Sequence, residues 1–122
     1  MKAEQKQIWA LALEKFGTTA QLDMAVEECA ELIQAINKIK RADIVRYHIT
    51  KPNASMLLKS VNAYNNLCSE IADVKIMLAQ LEMMLDPERV EISLDRKISR
   101  LAARLRKLGA EPPGGWLMHP YA

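Results

Sequence analysis

The sequence predicts an all-α protein, and three observations support this class. The chain has 122 residues, 50% of them hydrophobic and only 5% aromatic, and its apolar residues are mainly Leu, Ile, Ala and Met, as in helical bundles. Apolar residues recur every three or four positions over long stretches. No stretch shows the strict alternation of a half-buried strand. A chain of this length is expected to form one domain.

The first two helices are bounded by glycine and threonine. We expect the first over residues 3–16, ended by Gly17, and the second over about 20–42, capped by Thr18 or Thr19. A basic end suits the C-terminal half of the second helix. Its apolar positions have helical spacing: Leu22, Val26, Cys29, Ile33 and Ile36.

The third helix has the longest apolar stripe, which begins near Leu57 and ends at Asp86-Pro87, because proline cannot continue the hydrogen-bond ladder. Residues 43–53 are interpreted as a connection. A fourth helix is expected from residue 87 or 88 to 108, closed by Gly109. Residues 110–122 contain a Pro-Pro-Gly-Gly run and are interpreted as an irregular tail. The predicted division is therefore a helical domain over 1–109 and a tail over 110–122.

Cysteine usage and hydropathy indicate a cytoplasmic protein. Cys29 and Cys68 have no close spacing, so we expect two buried free thiols in a reducing compartment. No signal peptide or apolar run of about 20 residues is visible, and no membrane association is expected. The formal net charge of +2 is too small to indicate nucleic-acid binding.

Two pairs of acidic residues occupy the apolar sides of two predicted helices. At about 100° per residue, Glu28 and Glu31 lie roughly 60° apart on the second helix. Glu70 and Asp73 repeat this spacing on the third helix. The residues that share these sides are apolar: Met24, Ala25, Leu32 and Ala35 on the second helix, and Ala63, Leu67, Val74, Met77 and Leu81 on the third.

This placement indicates a metal site if the two sides face each other. A buried, unpaired carboxylate is normally paired, protonated or metal-bound, and we find no basic residue on these sides to pair with the acids. Hard oxygen donors favour Mg²⁺, with Mn²⁺ as an alternative. Either pair alone would be an ordinary solvated helix face.

Iron and zinc fit the pattern less well. A di-iron bundle needs Glu-x-x-His on two helices, whereas Glu31 and Asp73 stand at the histidine positions here. His48 and His119 lie in the predicted connection and tail. No Cys/His cluster could hold zinc.

The order of these acids resembles a known family. Glu27-Glu28-x-x-Glu31 followed by Glu70-x-x-Asp73 is similar to the EExxE…ExxD signature of the MazG-like, all-α nucleoside triphosphate pyrophosphohydrolases. The segments MAVEECAELIQAINK and SEIADVKIMLAQL resemble the family's second and third helices, and the resemblance covers about residues 22–104. The gap between the two motifs is longer than usual in the family. Its extra residues, about 43–62, either extend the third helix or form a loop over the site.

The resemblance implies a fold, an activity and a set of site residues. The fold would be a four-helix bundle completed by dimerisation, in a homodimer or a homotetramer. The activity would be Mg²⁺-dependent hydrolysis of a nucleoside triphosphate to the monophosphate and pyrophosphate. Glu28, Glu31, Glu70 and Asp73 would be the metal ligands. Glu27 would be an accessory acid, and either Glu27 or Glu28 would accept the proton of the attacking water.

Three cations of the fourth helix are candidates for holding phosphates. By the resemblance Lys97 matches best, and Arg100 and Arg104 continue its side of the helix. The alternative is a solvated basic face or one that pairs with a partner subunit. Trp9 is a candidate for the base pocket, with core packing as its alternative role. No role is assigned to Trp116.

Two other functions remain open from the residues. The chain could be a non-catalytic interaction module whose basic last helix binds an acidic partner or nucleic acid. Alternatively, it could be an enzyme of the same type with another substrate, such as a dUTPase-like or dCTPase-like member, or one that acts on modified nucleotides or an alarmone. A scaffold would gain nothing from four acids inside apolar stripes, so the enzyme is the preferred hypothesis.

Overall fold

The computed structural model describes the backbone of residues 2–42 and 54–116, and the side chains there except those of residues 42 and 54–57. Within these ranges the chain forms four α-helices and no strand, which confirms the predicted all-α class. The predicted connection over 43–53 lies outside the described residues, as do His48 and His119. The helices are α1 (Ala3–Phe16), α2 (Thr18–Ala42), α3 (Ala54–Met84) and α4 (Pro87–Lys107).

Gly17 separates α1 from α2. Its φ of 87° lies in the left-handed region, which a residue with a Cβ adopts only with strain. Its N–H donates to the Leu13 carbonyl at 2.9 Å, and its own carbonyl accepts from Gln21 N at 3.1 Å. The predicted threonine cap is therefore wrong. Thr18 is already helical, because the Gly17 carbonyl accepts the first hydrogen bond of α2.

The chain divides into two compact units, Met1–Met84 and Leu85–Ala122. In the first unit α2 and α3 form the main helix pair, and α1 contacts both. Gln21 is 6% exposed, and its side-chain Nε2 donates to the Ala12 carbonyl of α1 at 3.5 Å. The predicted division into a domain over 1–109 and a tail stays a prediction.

Small residues line the seam between α2 and α3. Ala35 is completely buried, and Ala25 and Ala63 are at most 9% exposed. Val74 and Met77 complete the buried apolar residues of this seam. Small side chains let the two backbones approach closely, so polar side chains along the same seam come within reach of one another.

The row of large apolar residues on α2 is exposed in the single chain. Val26 is 71% exposed and Ile33 60% exposed, and Leu22 and Ile36 are also exposed. The buried side of α2 is displaced by one residue, which is about 100° around the helix. The prediction of buried thiols is also wrong, since Cys29 and Cys68 are free and exposed. Cys29 lies on the exposed row of α2.

The second unit consists of α4 and the segment that follows it. Asp86 caps α4, its Oδ1 accepting from the backbone N–H groups of Glu88 and Arg89 at 3.1 and 3.4 Å. Leu108 and Gly109 close the helix. The Arg106 guanidinium lies 4.4 Å from the centre of the Trp116 ring, a cation–π contact. None of the described helices has the length and apolar character needed to cross a bilayer.

Candidate metal centre

Three acidic side chains of α2 and α3 converge at the seam. Glu28, Glu70 and Asp73 each contribute one carboxylate oxygen, and these three oxygens lie within 4.8 Å of one another. All three residues are half-buried. We call these three residues the acid cluster. The structure thus brings together three of the four predicted ligands, one from α2 and two from α3.

The helix geometry explains why these acids meet. Glu28 lies on the α2 side that carries Ala25 and Ala35, both buried against α3. Glu70 and Asp73 lie on the α3 side that carries Val74 and Met77. Since side chains three and four apart share one face of a helix, packing of the apolar residues aligns the acids across the seam. The apolar stripes therefore position the carboxylates.

The acid cluster is electrostatically unfavourable in the absence of a counter-ion. Partial burial, followed by the negative charges of Glu31, Asp73 and Glu70, raises the pKa of Glu28 above its ordinary value of 4.5. Partial burial, followed by Glu31 and Asp73, also raises the pKa of Glu70. Burial and like charges both penalise the ionised form. The structure therefore crowds carboxylates that repel one another.

Two oxygens of the cluster lack hydrogen-bond partners. Glu28 Oε2 and Glu70 Oε2 are shielded from solvent, and no donor among the described residues reaches either atom. Buried acceptors in folded proteins normally have a hydrogen-bond partner, and an acceptor without one often marks the position of a water molecule or an ion. Within the described residues, Trp9 Nε1 and Gln80 Oε1 also lack partners, but only the two carboxylate oxygens lie side by side in the acid cluster, where one cation would satisfy both.

The remaining predicted acids lie nearby but differ in their environment. Glu31 is exposed, yet it lies close enough for its negative charge to raise the pKa of both Glu28 and Glu70. It therefore borders the acid cluster as a fourth acid. Glu27 is exposed on α2 and does not belong to the cluster. Its accessory role stays a prediction.

Lys38 is a residue of this seam that the sequence analysis missed. Its positive charge lowers the pKa of Glu70 in opposition to the acids, so the expectation of no basic residue on these sides is wrong. Lys38 follows Glu31 by seven residues, two helical turns on the same face. Extending the stripe of α2 by one more step beyond Ala35 would have found it.

The predicted phosphate-binding and base-binding residues lie on other helices. Lys97, Arg100 and Arg104 are exposed on α4, in the second unit. Trp9 is half-buried on α1, and its Nε1 is shielded without an acceptor among the described residues. This burial favours packing for the Trp9 ring. The roles of all four residues stay predictions.

Compared with models of known protein families, with curated proteins and with solved structures, the chain shows no significant match. The function is therefore inferred from the residues of this chain and their geometry.

Proposed function

We propose that the chain is a Mg²⁺-dependent nucleoside triphosphate pyrophosphohydrolase of the MazG-like kind. The observation that supports this most is the acid cluster, with two shielded oxygens that lack hydrogen-bond partners. The motif order described above supplies the reaction class. Packing of α2 against α3 explains why these three side chains lie close together, but it does not explain why all three are acids that repel one another.

The donor set of the cluster fits Mg²⁺. All three groups offer hard carboxylate oxygens, which Mg²⁺ and Mn²⁺ prefer. Oxygens bound to a common Mg²⁺ at about 2.1 Å lie at most about 4.2 Å apart, across the octahedron. The present oxygens lie within 4.8 Å, so small side-chain rotations would bring them onto one ion. Glu28, Glu70 and Asp73 would hold it, with Glu31 at the rim as the fourth ligand.

A bound Mg²⁺ would neutralise phosphoryl oxygens and acidify a nearby water molecule. In the proposed reaction the oxygen of that water attacks the α-phosphorus, and the bond from this phosphorus to the bridging oxygen breaks. Pyrophosphate then leaves with the bonding electrons. A carboxylate accepts the proton of the water, and Glu28 is better placed for this than the exposed Glu27. No covalent enzyme intermediate is involved.

Phosphate neutralisation requires cations besides the metal. Lys97, Arg100 and Arg104 are the proposed contacts of α4. Substitution Lys97→Ala should raise KM for the nucleotide, and unchanged kcat and KM would remove Lys97 from the site. Trp9 remains the proposed side chain beside the base, through its half-buried ring.

The exposed apolar stripe of α2 supports the proposal of a homo-oligomer. Val26, Ile33 and their neighbours form a continuous row on one face of the helix. A monomer rarely leaves such a row to solvent. A second copy of the chain would cover it in a homodimer or a homotetramer, and would also cover Cys29, which belongs to the same row.

The decisive experiment is a nucleotide panel with product identification. Purified protein is incubated with standard and modified nucleoside triphosphates, in Mg²⁺ or in EDTA. Glu70→Gln is compared with Glu82→Gln, a control on the same helix outside the acid cluster. Monophosphate and pyrophosphate should form, require Mg²⁺, vanish in Glu70→Gln and persist in Glu82→Gln.

The same panel tests the details. In ¹⁸O-labelled water the label should enter the monophosphate, and label confined to pyrophosphate would exclude attack at the α-phosphorus. The nucleotides that are cleaved would also name the base. If no nucleotide is cleaved and Mg²⁺ does not stabilise the protein, the interaction-module hypothesis replaces the enzyme.

A further inference from the structure

A cavity of about 490 Å³ lies at the far end of the α2–α3 seam. Pockets for small ligands commonly measure about 300–1,000 Å³. Three of its lining residues are cationic and two carry carboxamides, and no acid lines it within the described part of the chain. We call it the basic cavity. The lining residues are Lys38, Arg41, Lys59, Asn62, Ala63 and Asn66.

The basic cavity continues the same helix faces that hold the acid cluster. On α3, Asn62, Asn66 and Glu70 are spaced by four residues and share one side. On α2, Lys38 follows Glu31 by two turns, about 10 Å along the axis. The helices are antiparallel, because late residues of α2 and early residues of α3 line one cavity. An acidic end and a basic end therefore adjoin along one seam.

Side-chain direction shortens the distance between the two ends. Each Cα–Cβ bond of a helix tilts toward the helix N-terminus. Lys38 on α2 therefore leans toward the acidic end, while Glu70 on the antiparallel α3 leans toward the basic end. The effect of the Lys38 charge on Glu70 is in accord with this geometry.

Three cations around one cavity repel one another unless an anion joins them. In the described ranges no ion pair to a carboxylate engages Lys38, Arg41 or Lys59 at bonding distance. Asn62 and Asn66 add neutral N–H donors from the opposite helix. Cations combined with carboxamide donors suit an anion with several oxygens, and phosphate groups have this chemistry.

We propose that the basic cavity binds the pyrophosphoryl end of a nucleotide whose reacting phosphate lies at the acid cluster. This inference rests on the proposed function for the identity of the ligand. It adds specific residues of α2 and α3 to the phosphate contacts expected of α4. Lys59 and Asn62 lie within the extra residues between the two acidic motifs, so part of this subsite comes from the segment that departs from the family pattern.

The subsite distinguishes nucleotides by the length of their phosphate chain. A triphosphate would reach from the acid cluster into the basic cavity, whereas a monophosphate would not. Pyrophosphate should therefore compete with the substrate, and the cavity should hold pyrophosphate after cleavage. Loss of the cations should weaken binding of the triphosphate and of pyrophosphate without weakening binding of the monophosphate.

The test uses inorganic pyrophosphate as the probe, with the full chain, in EDTA and at low ionic strength. Calorimetry compares the wild type with Lys38→Ala/Lys59→Ala. Lost contacts between cations and phosphate should weaken binding by roughly tenfold or more. Lys40→Ala, an exposed lysine of α2 that does not line the cavity, is the matched control and should bind as the wild type. Asn62→Asp, which places a negative charge in the cavity, should also weaken binding.

Several results would overturn the subsite. One is equal weakening by Lys40→Ala, which would reduce the effect to general surface charge. Another is unchanged affinity in both cavity variants that remain folded by circular dichroism. A third is binding of a short single-stranded oligonucleotide with steep salt dependence but no binding of pyrophosphate, which would make the cavity a nucleic-acid contact.

The nucleotide panel separates this inference from the proposed function. If pyrophosphate binds through the cavity while no triphosphate is hydrolysed, the subsite stands and the enzymatic proposal fails. If hydrolysis requires Glu70 but Lys38→Ala/Lys59→Ala leaves KM unchanged, the enzyme stands and the subsite is refuted.

Discussion

Replacing one acid of the cluster should change stability in opposite directions with and without metal. The substitution Glu70→Gln preserves the shape of the side chain and removes one negative charge from a group of carboxylates that lie within 4.8 Å of one another. Without metal, we expect the variant to melt at a higher temperature than the wild type at pH 7.5, because it relieves the repulsion. With Mg²⁺, the wild type should gain stability and the variant should not.

The size of the metal effect follows from mass action. A ligand that binds only the folded state, at a hundredfold excess over Kd, stabilises it by about 2.7 kcal/mol. For a domain of this size that corresponds to a rise in Tm of roughly 10 °C. EDTA should abolish the rise. Ca²⁺ is a useful comparison, since it takes 6–8 oxygen ligands at about 2.3–2.6 Å in flexible geometry, whereas Mg²⁺ takes six at about 2.1 Å and keeps several waters.

The pH dependence of the metal-free protein gives the same prediction a second readout. The pKa values of Glu28 and Glu70 in the folded state lie above the ordinary 4.5, so these groups hold protons more tightly when folded. Their contribution to stability is present below pH 4.5 and is lost as the pH rises through the raised values. Mg²⁺ affinity should increase over the same window, because the ion binds only deprotonated carboxylates.

Differential scanning fluorimetry across pH 4–8, with Mg²⁺ or with EDTA, measures both effects. The control is Glu82→Gln, which should follow the wild type under all conditions. A wild type that Mg²⁺ does not stabilise would refute the metal site. If Glu70→Gln lowered Tm in EDTA, the carboxylate would be a structural contact, and the account of repulsion within the cluster would be wrong.

Three further predictions concern the fold. Asp86→Ala should lower the free energy of unfolding by about 1 kcal/mol, because α4 loses its cap. Urea titration measures this loss, and Asp86→Ser, which can still cap the helix, should retain the stability of the wild type. Ala35→Leu should cost about 1–3 kcal/mol by overpacking the seam, whereas Ala30→Leu on the exposed side of α2 should be near neutral in the same titration. Val26→Gln/Ile33→Gln should reduce the molar mass in light scattering; an unchanged mass would exclude this stripe as the subunit contact.

Periodicity and chain breakers account for most of what the sequence predicted correctly. The end of α1 follows from Gly17, because glycine readily adopts the positive φ that ends a helix. The end of α3 follows from Pro87, because proline cannot continue the hydrogen-bond ladder. The extra residues that precede Asn62 extend α3 from Ala54 onward. Helix ends that depend on single glycine or proline residues can therefore be predicted from the sequence.

The side of α2 that faces α3 was harder to predict. Two rows lie about 100° apart on this helix. One carries the larger apolar side chains, and the other carries the alanines and acids that the metal-site hypothesis directed toward α3. The structure buries the row with alanines and acids, because small residues allow the close helix contact that α3 makes. A hydrophobic pattern alone does not distinguish a row that faces the same chain from one that faces a partner.

The same seam explains why the basic cavity escaped the sequence analysis. The apolar residues that flank Glu28 and Glu31 end at Ala35, while Lys38 continues the row toward the C-terminus of α2. Lys59 and Asn62 come from α3, which runs in the opposite direction, so only the antiparallel pairing places them beside Lys38. A helix pair with acids at one end of its seam and cations at the other can hold a metal ion and a phosphate chain side by side. The charge order along each helix is therefore the feature of this fold that most directly favours a nucleotide as its ligand.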